Sequence, residues 1–161
     1  MHGPGSKADR YVIESLLGAG GMGQVYIAFD PRLGRRVALK LLHPDPQADA
    51  ATRQEWARRM QREAQAAAAL SHPNAVTVFD VGEVEGAPFI AMELVRGRSL
   101  RDYVGAPDVH WSQRIRWLLD VARALDAAHA AGMVHRDVKP DNVLVDGLGG
   151  SQAGSISLPR G

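Results

Sequence analysis

The stretch HRDVKPDN, residues 135–142, sets two acids, three bases and an amide within eight positions. Apolar residues hem it on both sides, MV before and VLV after. Carboxylates and cations at this density can hold and move protons on a polar substrate. A plain solvated turn around KPD is the alternative, because proline and aspartate favour turns. Asp141 reads in either case as a surface loop residue.

Three features upstream carry chemistry of their own. GAGGMGQV, residues 18–25, places glycines at 18, 20, 21 and 23 between two strand-like runs. Such a loop can lie over a phosphate chain, since glycine lets backbone N–H groups approach without a Cβ in the way. Glycines also make ordinary hairpin turns. In a dinucleotide fold the third glycine opens a helix, whereas QVYIAFD here is β-branched and aromatic and reads as a strand. In VALK, Ala38 and Lys40 share one strand face, with Val37, Leu39 and Leu41 on the other. A lysine inside a strand sits on an exposed face or is held by an anion. Glu63 falls on the apolar stripe of a helix, where a carboxylate is costly unless a cation meets it. Lys40, placed between that carboxylate and a phosphate chain, satisfies both demands.

The elements that position these residues follow from periodicity. YVIESLL (11–17), QVYIAFD (24–30) and RRVALKLL (35–42) read as an antiparallel meander. A helix over 52–70 carries Trp56, Met60, Ala64, Ala67 and Leu70 at spacings of three and four. AVTVFDVGEV and PFIAMELV form a further hairpin. RGRSLRDYV opens a short helix with Ser99 and Asp102 at capping-box spacing. A longer helix starts at Ser112, with a stripe of Ile115, Leu118, Val121 or Ala122, Leu125 and Ala128, and Gly132 stands at its left-handed C-cap. MVHRDVKPDNVLV reads as a short strand, a polar loop and a second short strand. From residue 146 the composition turns glycine- and serine-rich and the periodicity is lost.

Composition narrows the classes. The 161 residues suffice for one ordinary core, and 45% hydrophobic with 23% charged residues is a soluble globular balance. A formal net charge of +1 gives no reason to expect nucleic acid or an anionic membrane as partner. The absence of cysteine excludes disulfides, thiolate zinc sites and cysteine nucleophiles. No apolar run approaches the roughly 20 residues of a membrane span, and the first ten residues lack a signal-peptide core, so a cytoplasmic location is expected.

GAGGMGQV, VALK, REAQAAAALSHPN, MELV and HRDVKPDN, in this order and spacing over residues 11–145, resemble a eukaryotic-type (Hanks-type) serine/threonine protein kinase, and the GxGGMGxV loop is similar to bacterial members. The resemblance implies an α+β fold. Its N-lobe, residues 11–95, is a five-stranded antiparallel sheet with one main helix. A partial helical C-lobe covers 96–145, between a flexible N-terminus (1–10) and a disordered tail (146–161). It also implies ATP and Mg²⁺ as cofactors and a protein substrate with a serine or threonine hydroxyl. Gly18, Ala19, Gly20, Gly21, Met22 and Gly23 then cover the phosphates. Lys40 holds the α- and β-phosphates and Glu63 orients it. Val25 and Ala38 sandwich the adenine, Met92 is the gatekeeper, and the Glu93 carbonyl and Val95 amide meet the adenine edge. Asp137 is the catalytic base, Lys139 reaches the γ-phosphate, and Asn142 gives an amide oxygen to Mg²⁺. His135 is a structural hydrogen-bonding residue, and Arg136 meets a phosphorylated activation loop.

The family's next motif, DFG, whose aspartate holds the principal Mg²⁺, does not occur in this chain, and the only aspartate after Asn142 is Asp146. Two expectations follow: a kinase whose transfer is impaired by this truncated pattern, or a catalytically inactive nucleotide-binding or interaction module or truncated pseudokinase remnant. The 112–131 helix is then left with an apolar face that aggregates or recruits a partner chain.

Overall fold

The computed structural model describes residues 3–20, 23–45, 47–135, 137–146 and the pair 155–156. They form two compact units, one of residues up to 68 together with 78–94, the other of 69–77 together with the chain from 95 onward.

The first unit is a mixed-length antiparallel sheet with one helix, and its strands follow from alternating burial. β1 (Lys7–Ala8), β2 (Tyr11–Gly20), β3 (Gly23–Asp30), β4 (Arg35–Leu42), β5 (Val78–Val84) and β6 (Ala87–Met92) lie in the order β1-β2-β3-β4-β6-β5. The sixth strand, beyond the five expected, is the two-residue β1. Ala8 of β1 is fully buried opposite Tyr11, and the Gly5 amide donates to the Ile13 carbonyl at 2.8 Å, so the flexible start expected for 1–10 is tied to the sheet edge from residue 5.

One face of the sheet is a dry core. Ala8, Tyr11, Ile13, Tyr26, Ala28, Val37, Leu39, Leu41, Phe89 and Ala91 pack there, all strand residues. Burying such side chains is the main favourable term for a sheet, at about 1.5–3 kcal/mol for each large one. The period of two then forces Val25, Ala38, Lys40, Ile90 and Met92 onto the opposite face.

Helix α1 (Ala50–Ala68) starts where Asp49 accepts the Thr52 amide at 2.7 Å, a side-chain N-cap. That donor holds the Asp49 carboxyl below its ordinary range. Met60, Ala64 and Ala67 are its buried stripe, and it packs against β5 and β6. Trp56 is half-buried, and Leu70 lies past the helix end.

The second unit holds β7 (Gly97–Ser99), β8 (Val143–Asp146) and β9 (Ser155–Ile156) in one antiparallel sheet. It also holds a 3₁₀ turn at Leu100–Tyr103, helix α2 (Trp111–Ala130) and a second 3₁₀ turn at Pro140–Asn142. β9 lies in the segment expected to be a disordered tail; residues 147–154 and 157–161 are outside the described residues. Residues 133–135, expected as a strand, carry no ladder; β8 alone forms from that hairpin pattern.

α2 begins one residue before Ser112, with His110 as its cap. It ends as expected. Gly132 has φ of +77°, its amide donates to the His129 carbonyl, and the Met133 amide donates to the Ala128 carbonyl at 2.9 Å. These two bonds are the Schellman pair that a left-handed glycine permits.

The buried arc of α2 differs from expectation. Trp117, Val121 and Ala124 face inward, while Ile115 is 47% and Leu118 55% exposed. The reason is the indole. Trp117 packs on Tyr103 with ring centroids 5.1 Å apart and against Val145, Leu100 and Val109, and that large contact sets the helix rotation.

Candidate active site

Register in the first unit places the sequence-selected residues without help from long side chains. Val25 pairs across the ladder with Lys40, Ala38 with Met92, and Lys40 with Ile90. Val25, Ala38, Lys40 and Met92 therefore share one patch of the face opposite the core. Ala38 and Met92 are buried, while Val25 and Lys40 are half-buried. The small side chain at 38 leaves room beside the lysine on an otherwise apolar floor.

The glycine hairpin closes the β2–β3 end of the same sheet. Gly18 pairs with Val25, Ala19 with Gln24 and Gly20 with Gly23. Two of its glycines differ in kind. At Gly23, with φ of +141°, a Cβ would stand 2.0 Å from the Leu41 carbonyl oxygen, so the fold itself demands glycine. At Gly18 a Cβ would meet nothing within 4 Å. Among the described residues, packing does not require Gly18, which is exposed. Gly21 and Met22 lie outside the described residues.

Glu63 corrects the expectation of a fully packed carboxylate. Its side chain is 31% exposed, and Arg59, one turn earlier on α1, lies 3.9 Å away. The i, i+4 arginine lowers the cost that the apolar stripe seemed to impose. Glu93 is exposed and Val95 half-buried.

In the second unit the octet folds on itself. Asn142 is buried and donates through Nδ2 to both the carbonyl and Oδ2 of Asp137, each at 2.8 Å. Lys139 Nζ lies 3.1 Å from the same Oδ2. The buried His135 takes the Asp137 amide on its Nδ1 at 3.3 Å, which agrees with a structural role. A carboxylate, an ammonium and a carboxamide thus converge. Because the Asn142 nitrogen is committed to Asp137, the atom it can offer a cation is Oδ1. Arg136 lies outside the described residues.

Sequence reasoning passed over two tethers of this loop. Ser99 Oγ donates to the Pro140 carbonyl at 3.1 Å, and Arg101 reaches Asp141 through Nη2 at 3.0 Å and Nε at 3.3 Å. Their partners lie about forty residues away in sequence, and no local periodicity announces them.

Comparison with known proteins decides the family. Residues 11–152 match the protein kinase domain. The chain belongs to the protein kinase family. It is 42% identical over 158 residues to a probable serine/threonine-protein kinase of Corynebacterium efficiens, covering 95% of this chain and 23% of that protein. It is 40% identical to serine/threonine-protein kinase PrkC of Bacillus subtilis, over 88% of this chain and 22% of PrkC. Among solved structures, the PknI kinase domain of Mycobacterium tuberculosis superposes with a TM-score of 0.80 at 36% identity, covering 98% of this chain and 62% of that domain. The chain thus spans about a quarter of the curated relatives it matches, and these relatives are bacterial kinases named for serine/threonine specificity. Among the described residues no helix is long and apolar enough to cross a membrane.

Proposed function

We propose that this chain carries the nucleotide-binding and proton-transfer residues of a serine/threonine kinase that moves the ATP γ-phosphoryl group to a protein hydroxyl. The observation that carries the reading is the convergence of Lys139 and Asn142 on Asp137. Asp137 orients the substrate hydroxyl and takes its proton as the oxygen bonds to phosphorus and the bond to the β-phosphate oxygen breaks. Lys139 balances negative charge on the moving group.

The face bearing Val25, Ala38, Lys40 and Met92 fits a flat base beside an anion, and the open space at Gly18 fits a phosphate chain drawn close to backbone N–H groups. Lys40 is the cation for the α- and β-phosphates, and Glu63, which also faces Arg59, is the carboxylate assigned to orient it. Glu93 and Val95 offer the backbone groups for the adenine edge. For Mg²⁺ the chain offers the Asn142 oxygen beside a carboxylate. Mg²⁺ keeps several waters and would take its other ligands from phosphate oxygens, where it would neutralise charge on the phosphates.

A second reading, an inactive nucleotide-binding module, is favoured by the lack of an Asp-Phe-Gly motif. Labelled ATP with Mg²⁺ and a generic serine/threonine substrate separates the two. Phosphate incorporation that vanishes in both Asp137→Ala and Lys40→Ala supports transfer. An ATP-dependent rise in melting temperature with no incorporation sinks it in favour of the second reading.

A further inference from the structure

We propose that Arg101 and Ser99 are positioning residues for the catalytic loop, clamping the Pro140–Asn142 turn so that the Asn142 carboxamide stays locked on Asp137. The inference rests on the kinase reading of Asp137 and Asn142.

The turn that carries Asn142 is only three residues long and has no side-chain cap of its own; its internal support is two backbone bonds, the Asn142 amide to the Lys139 carbonyl at 3.0 Å and the Val143 amide to the Pro140 carbonyl. One 3₁₀ turn is weak by itself. Two side chains from the Leu100–Tyr103 turn and its cap meet it at successive residues. Ser99 Oγ bonds the Pro140 carbonyl, and the Arg101 guanidinium engages both carboxylate oxygens of Asp141. Ser99 does double duty, since its Oγ also accepts the Arg101 amide and so caps the turn from which Arg101 projects. The strand ladder adds register: Ser99 pairs with Leu144, two residues past Asn142. The two-point geometry of an arginine on a carboxylate restricts rotation as well as distance, which a lysine could not do. The carboxyl of Asp141 is held below its ordinary range first by this hydrogen bond, and the guanidinium of Arg101 is raised by the same contact. Asn142 follows Asp141 directly, so rotation of the turn swings its Nδ2 away from Asp137.

Hydrogen exchange of the Asn142 side-chain amide, followed by ¹H–¹⁵N spectra of the full chain, tests this. Arg101→Ala is expected to speed that exchange by about twofold to fivefold, the range an exposed ion pair commands. The Gly132 and Met133 amides at the end of α2 are expected to stay unchanged, which separates a local effect from general loosening. The reversed pair, Arg101→Asp with Asp141→Arg, is expected to restore slow exchange, and Arg101→Lys to restore it in part. Unchanged Asn142 exchange in Arg101→Ala, or a reversed pair as fast as Arg101→Ala, overturns the clamp. Should Arg101→Ala fail to fold, Ser99→Ala carries the same test: faster Asn142 exchange upholds the clamp, unchanged exchange overturns it. Phosphoryl transfer measured on the same preparations reports separately. Absent transfer with an intact exchange response counts against the catalytic reading and leaves the clamp standing, whereas transfer with no exchange response removes the clamp alone.

Discussion

The two units hold their candidate functional residues by different means. In the first, Val25, Ala38, Lys40 and Met92 are placed by backbone ladders whose other face is a dry core, so position follows from strand register. In the second, Asp137, Lys139 and Asn142 are placed by side chains bonding to side chains and to isolated carbonyls, and one of the two outside tethers, Arg101 on Asp141, is exposed. A register cannot drift without moving every strand neighbour. A side-chain tether can fail alone. The candidate residues of the first unit are therefore expected to be robust to single polar changes and vulnerable to core changes, and those of the second the reverse.

Leu39→Ala tests the ladder half most severely. Leu39 is fully buried between Tyr26 and Ala91 in register, and its loss is expected to cost about 2–5 kcal/mol in urea unfolding. A cost under about 1 kcal/mol would mean that the core does not set the register. Next comes Gly23→Ala, whose Cβ collides with the Leu41 backbone at a φ only glycine tolerates. A loss of about 1–3 kcal/mol, with weaker ATP binding by calorimetry, is expected. Gly18→Ala is the matched control: unfolding unchanged but nucleotide affinity reduced. Equal stability losses at 18 and 23 would erase the distinction between them.

Asn142→Ala removes the donor to Asp137 from a buried position. About 1–2 kcal/mol is expected in thermal unfolding of the second unit, with no shift in the first. The smallest effect concerns pH. The carboxyl of Asp141 is depressed in the folded chain, so its stabilisation is present above the ordinary carboxylate range and is lost as pH falls through the depressed folded value. The stability difference between wild type and Arg101→Ala should therefore shrink on acidification below about pH 4. A difference that grows on acidification would assign the pair the wrong sign.

Much of the first unit was legible because alternation reports on burial directly. VALK placed Ala38 and Lys40 opposite Val37, Leu39 and Leu41, and the ladder agrees. Gly132 was legible too, since a glycine after a helical stripe has one common use. Elsewhere several elements competed for the same side chain. The α2 stripe was drawn through Ile115 and Leu118, but the helix offers two apolar arcs, and Trp117 against Tyr103 selected the other. Glu63 raised a sound question, and one cation that meets it, Arg59, was in plain view four residues back. β1 was missed because two residues carry no periodicity.

By itself the sequence determined which residues are candidates for the chemistry: the order of the glycine loop, the strand lysine and the HRDVKPDN octet needs no coordinates, and strand alternation alone assigns the face of Lys40. Only the tertiary structure decided what holds the octet in place. Ser99 and Arg101 meet it across about forty intervening residues, and such a contact depends on how β7 and β8 pair rather than on any pattern within either segment. Local periodicity records what each residue buries; long-range side-chain bonds are set by which elements the fold brings together.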